Sequence, residues 1–176
     1  YDVLAEMKGV LVTDKDVSGG EMLHVEIRLE YDGKHEEIDV YQTVLEYDEN
    51  LFSGVDESSF KTYSGWSDLQ YNEDTHSLIL VNRYGSSRSE DVVSFDLVLK
   101  DSVNPAETKI KLVNQIASNQ NGDILLGDVE NDVDVNVHLM NLGVLKTSKT
   151  TYGNQLIEQP VRLYHILTLI VLEVII

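Results

Sequence analysis

The 176-residue chain has no cysteine, two prolines, one tryptophan and only 13 basic side chains. Without cysteine there is no disulfide, no thiolate nucleophile and no Cys-ligated zinc. That absence does not fix a compartment, since surface proteins also fold without oxidative help. The 13 bases face 31 acids, giving a net charge of −18. A chain this acidic repels nucleic acid and anionic membrane surfaces, whose recognition needs Lys/Arg footprints. Hydrophobic residues still make up 42%, which excludes global disorder. The length suits about one domain.

The charge is unevenly spread. Residues 1–140 carry 29 acids and 10 bases, a net of −19, whereas 141–176 carry 2 acids and 3 bases. A domain is expected over 1–140. Asn141 to Gln159 is rich in Asn, Thr, Ser and Gly and reads as a linker or long loop. Leu163–Ile176 is apolar at 11 of 14 positions, interrupted by His165, Thr168 and Glu173. That run is too short to span a bilayer, which takes about 20 apolar residues. A buried or exchanged strand is the simplest reading of it. No basic-then-apolar leader follows Tyr1, and the chain reads as a piece of something longer.

Period-2 alternation dominates the body. Leu23, Val25, Ile27 and Leu29 fall on one face of 23–30, with His24, Glu26, Arg28 and Glu30 on the other. The same pattern holds for Val93, Phe95, Leu97 and Leu99, and for Val133, Val135 and Val137. Such segments read as strands with one buried and one wet face. Weaker strands are expected at Gly9–Thr13, Ile38–Tyr47, Leu69–Tyr71, Leu78–Arg83 and Lys109–Ala117, with Gly-, Asn- and Ser-rich turns between them. The fold class is therefore all-β, a sandwich or jelly roll.

Nucleophilic and phosphoryl-transfer chemistry have no foothold. His24, His35, His76, His138 and His165 are scattered, without the i, i+4 pairing of a zinc helix. No Gly-x-Ser-x-Gly elbow and no Gly-rich phosphate loop is present. Asp128, Glu130, Asp132 and Asp134 recur at every second position. The calcium-loop pattern fails there, because its required Gly and Glu positions hold Val133 and Leu139; a solvated acidic strand is expected. Trp66, Tyr63 and Tyr71 are close in sequence and offer a sugar-stacking platform, which leaves a carbohydrate-binding module open as an alternative. A structural adhesin or stalk domain, held by a buried Lys–Asn bond, is another.

The order of segments resembles a cohesin domain, the receptor half of the cohesin–dockerin pair. The stretch Val40-Tyr41-Gln42-Thr43-Val44-Leu45-Glu46-Tyr47-Asp48-Glu49-Asn50-Leu51-Phe52 looks like the cohesin strand that ends in a Tyr-Asp-Pro-x-x-Leu-like turn, with Glu49 in place of the proline. Ser18-Gly19-Gly20-Glu21 and Leu23–Leu29 look like the opening strand. His76–Asn82, Glu90–Leu99, Thr108–Val113 and Asp128–Val137 look like the later strands in order. The likeness covers roughly residues 8–138.

The resemblance implies a nine-stranded jelly-roll β-sandwich with no catalytic site. It also implies a protein-binding face on one sheet that receives a calcium-loaded dockerin. Such modules belong to scaffoldins, or to surface and secreted carbohydrate-active enzymes of anaerobic bacteria. The dockerin motif Asp-x-Asn/Asp-x-Asp-Gly does not occur here, so the resemblance puts the calcium in the partner and leaves this chain without a cofactor. Alternation places Val40, Gln42 and Val44 outward on one strand and Ile79, Val81 and Arg83 outward on another. Leu69 and Tyr71 lie on the neighbouring strand, and Asn119 and Asn121 in a loop where the resembling family touches its partner. These ten residues are the expected partner-binding set. The expected state is extracellular or surface-bound, a monomer or a tail-mediated dimer, with no nucleic-acid partner and no membrane insertion of the body.

Overall fold

A computed structural model describes residues 7–31, 37–125, 130–140, 147–152 and 155–160. The chain divides into two units, Tyr1–Leu139 and Met140–Ile176. In the second unit, β12 (Thr147–Tyr152) pairs antiparallel with β13 (Gln155–Pro160), so part of the stretch read as a linker forms a hairpin. Leu163–Ile176 lies outside the described residues.

The first unit is all-β. In chain order its strands are β1 (Met7–Thr13), β2 (Asp16–Ser18), β3 (Met22–Tyr31), β4 (Ile38–Glu46), β5 (Phe52–Thr62), β6 (Trp66–Asn72), β7 (Ser77–Ser86), β8 (Glu90–Leu99), β9 (Ala106–Asn119), β10 (Gly122–Leu125) and β11 (Asn131–His138). One sheet has the order β1-β3-β8-β5. The other has the order β2-β11-β9-β4-β7-β6, with β10 added beside β9. The two sheets form a jelly-roll sandwich. Among the described residues it has nine longer strands, as expected, plus the short β2 and β10.

The alternating apolar sets fill the space between the sheets. Leu23, Val25, Ile27 and Leu29 of β3 and Val93, Phe95, Leu97 and Leu99 of β8 are buried from one side. Tyr41 and Leu45 of β4, Leu78 and Leu80 of β7, and Ile110, Leu112 and Ala117 of β9 are buried from the other. Burial of this apolar area is the main stabilising term.

Two buried polar clusters tie the layers together. Gln115 of β9 lies under β1: its Oε1 accepts the Gly9 amide at 2.6 Å and the Tyr41 hydroxyl at 2.7 Å. Its Nε2 donates to the Gly9 carbonyl at 3.4 Å. Burial raises the Tyr41 pKa, so the hydroxyl stays protonated and donates. Gly9 has no side chain for a reason, since a Cβ there would fall on the Tyr41 hydroxyl. In the second cluster the Glu90 carboxylate accepts the Trp66 indole N–H at 3.0 Å, the Ser86 hydroxyl at 2.5 Å and the Arg88 Nε–H at 3.3 Å. A buried carboxylate is tolerated because its lone pairs are filled in this way.

The outer face of the β1-β3-β8-β5 sheet is charged. His24 Nδ1 lies 2.9 Å from Asp96 Oδ1 and its Nε2 lies 3.3 Å from Glu26 Oε1. The Asp96 hydrogen bond, followed by that of Glu26, raises the His24 pKa above its ordinary value of 6.5. A raised folded-state pKa contributes stability that is present below the unfolded pKa and is lost as pH rises through the folded one. The pair is half-exposed, so the effect is small, under about 1 kcal/mol. Melting curves at low salt should show a slight loss of stability as pH rises above 6.5 that disappears in His24→Asn; an equal loss in the variant would assign it elsewhere.

Candidate partner-binding face

The outer face of the seven-stranded sheet differs from the charged one. Its centre is built by the cross-strand register of β6, β7, β4 and β9. Asp68, Val81, Val40 and Ser118 are opposite one another in one row. Gln70, Ile79, Gln42 and Ile116 form the next. Asn72, Ser77, Val44 and Val113 form the third. Residues paired across a ladder share a face. Since Tyr41, Leu78 and Leu80 are buried, these rows point away from the core. The result is an apolar stripe of Val40, Val44, Ile79, Val81 and Ile116 bordered by polar side chains, with Val113 in the same register but itself buried. The side chains of the stripe are only partly covered, and a contiguous apolar stripe rimmed by polar residues is uncommon on an ordinary wet sheet.

The rim carries defined electrostatics. Arg83 forks onto Asp68, with Nε 3.1 Å from Oδ2 and Nη2 3.3 Å from Oδ1. Both side chains are exposed, so the pair fixes geometry more than it stabilises. Towards β11, Lys109 bridges Asp132 at 3.3 Å and Asp134 at 3.0 Å, and Lys111 lies 4.0 Å from Glu130. The Asp134 and Asp132 contacts raise the Lys109 pKa. The acidic ladder is thus countered by lysines from β9, which explains how like charges share one strand face. Asp128 lies outside the described residues. Among the described residues no group of three His, Asp or Glu side chains converges as a metal site.

The expected binding set is placed as follows. Val40, Gln42 and Val44 of β4 and Ile79, Val81 and Arg83 of β7 are outward, on the same face. Asn119 and Asn121 lie at the β9–β10 turn, beside one end of that face. Leu69 and Tyr71 are corrected: they point inward and pack against the core. They are opposite the buried Leu80 and Leu78, and the Tyr71 ring centroid lies 5.5 Å from that of Phe60. A register irregularity between Trp66 and Asp68 shifts the alternation of β6 by one residue. The outward residues of β6 are instead Asp68 and Gln70. Ile116 and Ser118 also belong to the face and were missed. The irregularity where β9 meets Gln42/Val44, with Asn114 at φ 51°, hides them from a period-2 reading.

The sugar-stacking platform is not present at the expected residues. Trp66 is 0% exposed and donates its N–H to Glu90, and Tyr71 points inward. A buried Lys–Asn bond also lacks its lysine, because no lysine is buried among the residues whose side chains are described.

The Tyr47-Asp48 turn quoted for the resemblance is formed. The Asp48 carbonyl accepts the amides of Leu51 and Phe52 at 3.0 and 2.9 Å, and Asp48 Oδ1 accepts the Asn50 amide at 2.9 Å. The aspartate side chain makes the turn without the proline.

No protein family matches the chain by sequence, and no curated protein sequence matches it. Solved structures do. The cohesin module of a family 33 glycoside hydrolase from Clostridium perfringens aligns with a TM-score of 0.54 at 15% identity, covering 77% of this chain and 98% of that one. The match to a type I cohesin–dockerin complex from Clostridium thermocellum has a TM-score of 0.55 at 15% identity, covering 76% and 99%. A non-cellulosomal cohesin from the archaeon Archaeoglobus fulgidus gives 0.53 at 11%, covering 74% and 91%. The first unit therefore has the cohesin fold.

Proposed function

We propose that this chain is a non-catalytic receptor module that binds a dockerin-type protein through the outer face of β6, β7, β4 and β9. The observation that carries the reading is the apolar stripe from Val40 to Ile116 on that face, on a fold shared with cohesin modules. Solved complexes of that fold include cohesins with their dockerins. Val40, Val44, Ile79, Val81 and Ile116 supply the desolvated centre. Gln42 and Gln70 supply hydrogen bonds within it, and Arg83, Asp68, Asn119 and Asn121 the polar rim. Interfaces of this anatomy concentrate their energy at the centre. The net charge of −18 favours encounter with a basic partner.

In this reading the calcium resides in the dockerin, and the assembly is extracellular or at a bacterial cell surface, joining scaffoldins or carbohydrate-active enzymes. Among the described residues no helix is long and apolar enough to cross a membrane.

The test is titration of the chain with a panel of calcium-loaded dockerin modules. At least one should bind, and Gln42→Ala combined with Arg83→Ala should weaken it by about tenfold or more, roughly 1.4 kcal/mol, with an unchanged melting temperature. Adding EDTA should abolish binding while leaving this chain folded. Unfolding of this chain by EDTA, or binding indifferent to the double substitution, would overturn the assignment.

A further inference from the structure

At one end of the same sheet lies an open depression of about 510 Å³. Glu37, just before β4, and Asp39 within it form one side. Arg83 and Tyr84 of β7 form the second, and the β9–β10 turn residues Asn119 to Asn121 close it. The parts are fixed to one another. The Asn119 side-chain amide donates to the Glu37 carbonyl at 3.1 Å, and its Oδ1 accepts the Asn121 amide at 2.8 Å. Gly85 has φ +71°, and a Cβ there would fall on Glu37 Oε1. Glycine at 85 thus lets the Glu37 carboxylate lie against the β7 backbone.

The lining selects its ligand by exclusion. Two carboxylates disfavour an anion, and the guanidinium of Arg83 is already forked onto Asp68. Calcium takes six to eight oxygens around several carboxylates, and among the described residues no three acidic or histidine groups converge. An apolar ligand would strand the carboxylates and carboxamides without partners. A sugar hydroxyl both donates and accepts. The carboxamides of Gln120 and Asn121 do both as well, while Glu37 and Asp39 accept. Tyr84 is 83% exposed, a rigid amphipathic ring beside that polar array, suited to the flat C–H face of a pyranose. Its volume lies within the roughly 300–1,000 Å³ of small-ligand sites, and its open, polar lining suits a hydrated ligand rather than an apolar one.

We propose that this depression binds a neutral glycan through Tyr84, Gln120 and Asn121, with Glu37 and Asp39 accepting from its hydroxyls. The proposal does not depend on dockerin binding. Amide NMR of the whole chain titrated with cellohexaose, xylohexaose, maltohexaose and mannohexaose tests it. At least one sugar should shift the signals of Tyr84, Gln120 and Asn121, with an affinity near about 1 mM. Tyr84→Ala should weaken that binding by about tenfold or more, with Asn121→Ala as a second variant, and both retain the melting curve because both sites are exposed. No shift from any sugar at about 10 mM overturns the proposal. So do shifts centred on Val40, Val81 and Ile116, or a depression perturbed by a dockerin and by none of the sugars.

Discussion

Gly9→Ala should lower the melting temperature of the sandwich by about 10–15 °C, a large loss for a single methyl group. The added Cβ falls on the Tyr41 hydroxyl and lies 2.8 Å from Gln115 Oε1. Neither neighbour has room to give. Tyr41 and Gln115 are both buried, and Tyr41 is packed between β7 and β9. Overpacking of this kind costs about 1–3 kcal/mol. Displacing Gln115 also breaks its bonds to Gly9 and Tyr41, leaving buried polar groups unsatisfied at about 1–3 kcal/mol more. The sum is about 2–6 kcal/mol, a large share of the roughly 5–15 kcal/mol that holds a domain together. Tyr41→Phe removes the nearest clashing atom. The double variant should therefore be more stable than the two single losses add up to. A Gly9→Ala loss below about 1 kcal/mol, or strict additivity with Tyr41→Phe, would show that β1 lies differently over β9.

The same residues show where the sequence could be read and where it could not. Strand β3 alternates cleanly because one face stays dry, and the apolar sets read in β8 and β11 are buried too, with Val133 only partly so and Val92 and Ser94 of β8 buried besides. Alternation also oriented β4 and β7 correctly, since Tyr41, Thr43, Leu45, Leu78 and Leu80 are buried while Val40, Gln42, Val44, Ile79 and Val81 are not. It failed wherever a strand carries an extra residue. Strand β5 was not foreseen, because irregularities at Phe52/Gly54 and between Asp56 and Lys61 erase its period. In β6 one displaced residue turned Leu69 and Tyr71 inward. The Gln115 and Glu90 clusters were invisible for a different reason. Gln115 bonds Gly9 across 106 residues and Glu90 bonds Trp66 across 24, and nothing local marks a glutamine or glutamate as buried. The Trp66 reading failed on the same point, since a lone tryptophan serves equally as a platform or as a core residue with its N–H satisfied.

Ile79→Glu should abolish binding of a captured calcium-loaded dockerin, at least a hundredfold, while shifting the melting temperature by only a few degrees. Ile79 sits in the middle row of the face, between Gln70 and Gln42, with Ile116 beyond. In the free protein a glutamate there keeps its carboxylate in water and its stem on the sheet. Its cross-strand neighbours are carboxamides, which donate to a carboxylate. Val81 is the poorer choice, because it is opposite Asp68 and a glutamate there meets a like charge. Seating a partner on the face strips water from the new carboxylate and offers it no matching cation at the apolar centre. An uncompensated charge in a closed interface costs about 3 kcal/mol or more, over a hundredfold in affinity. Ile79→Ala removes apolar contact without adding charge and should cost about tenfold. Asp132→Ala, on β11 of the same sheet but among the lysine pairs, should leave affinity unchanged. Calorimetric titration of the variants against one dockerin, with melting curves alongside, separates the cases. The order expected is Asp132→Ala, then Ile79→Ala, then Ile79→Glu, and affinity within threefold of the parent for Ile79→Glu would move the docking surface off this face.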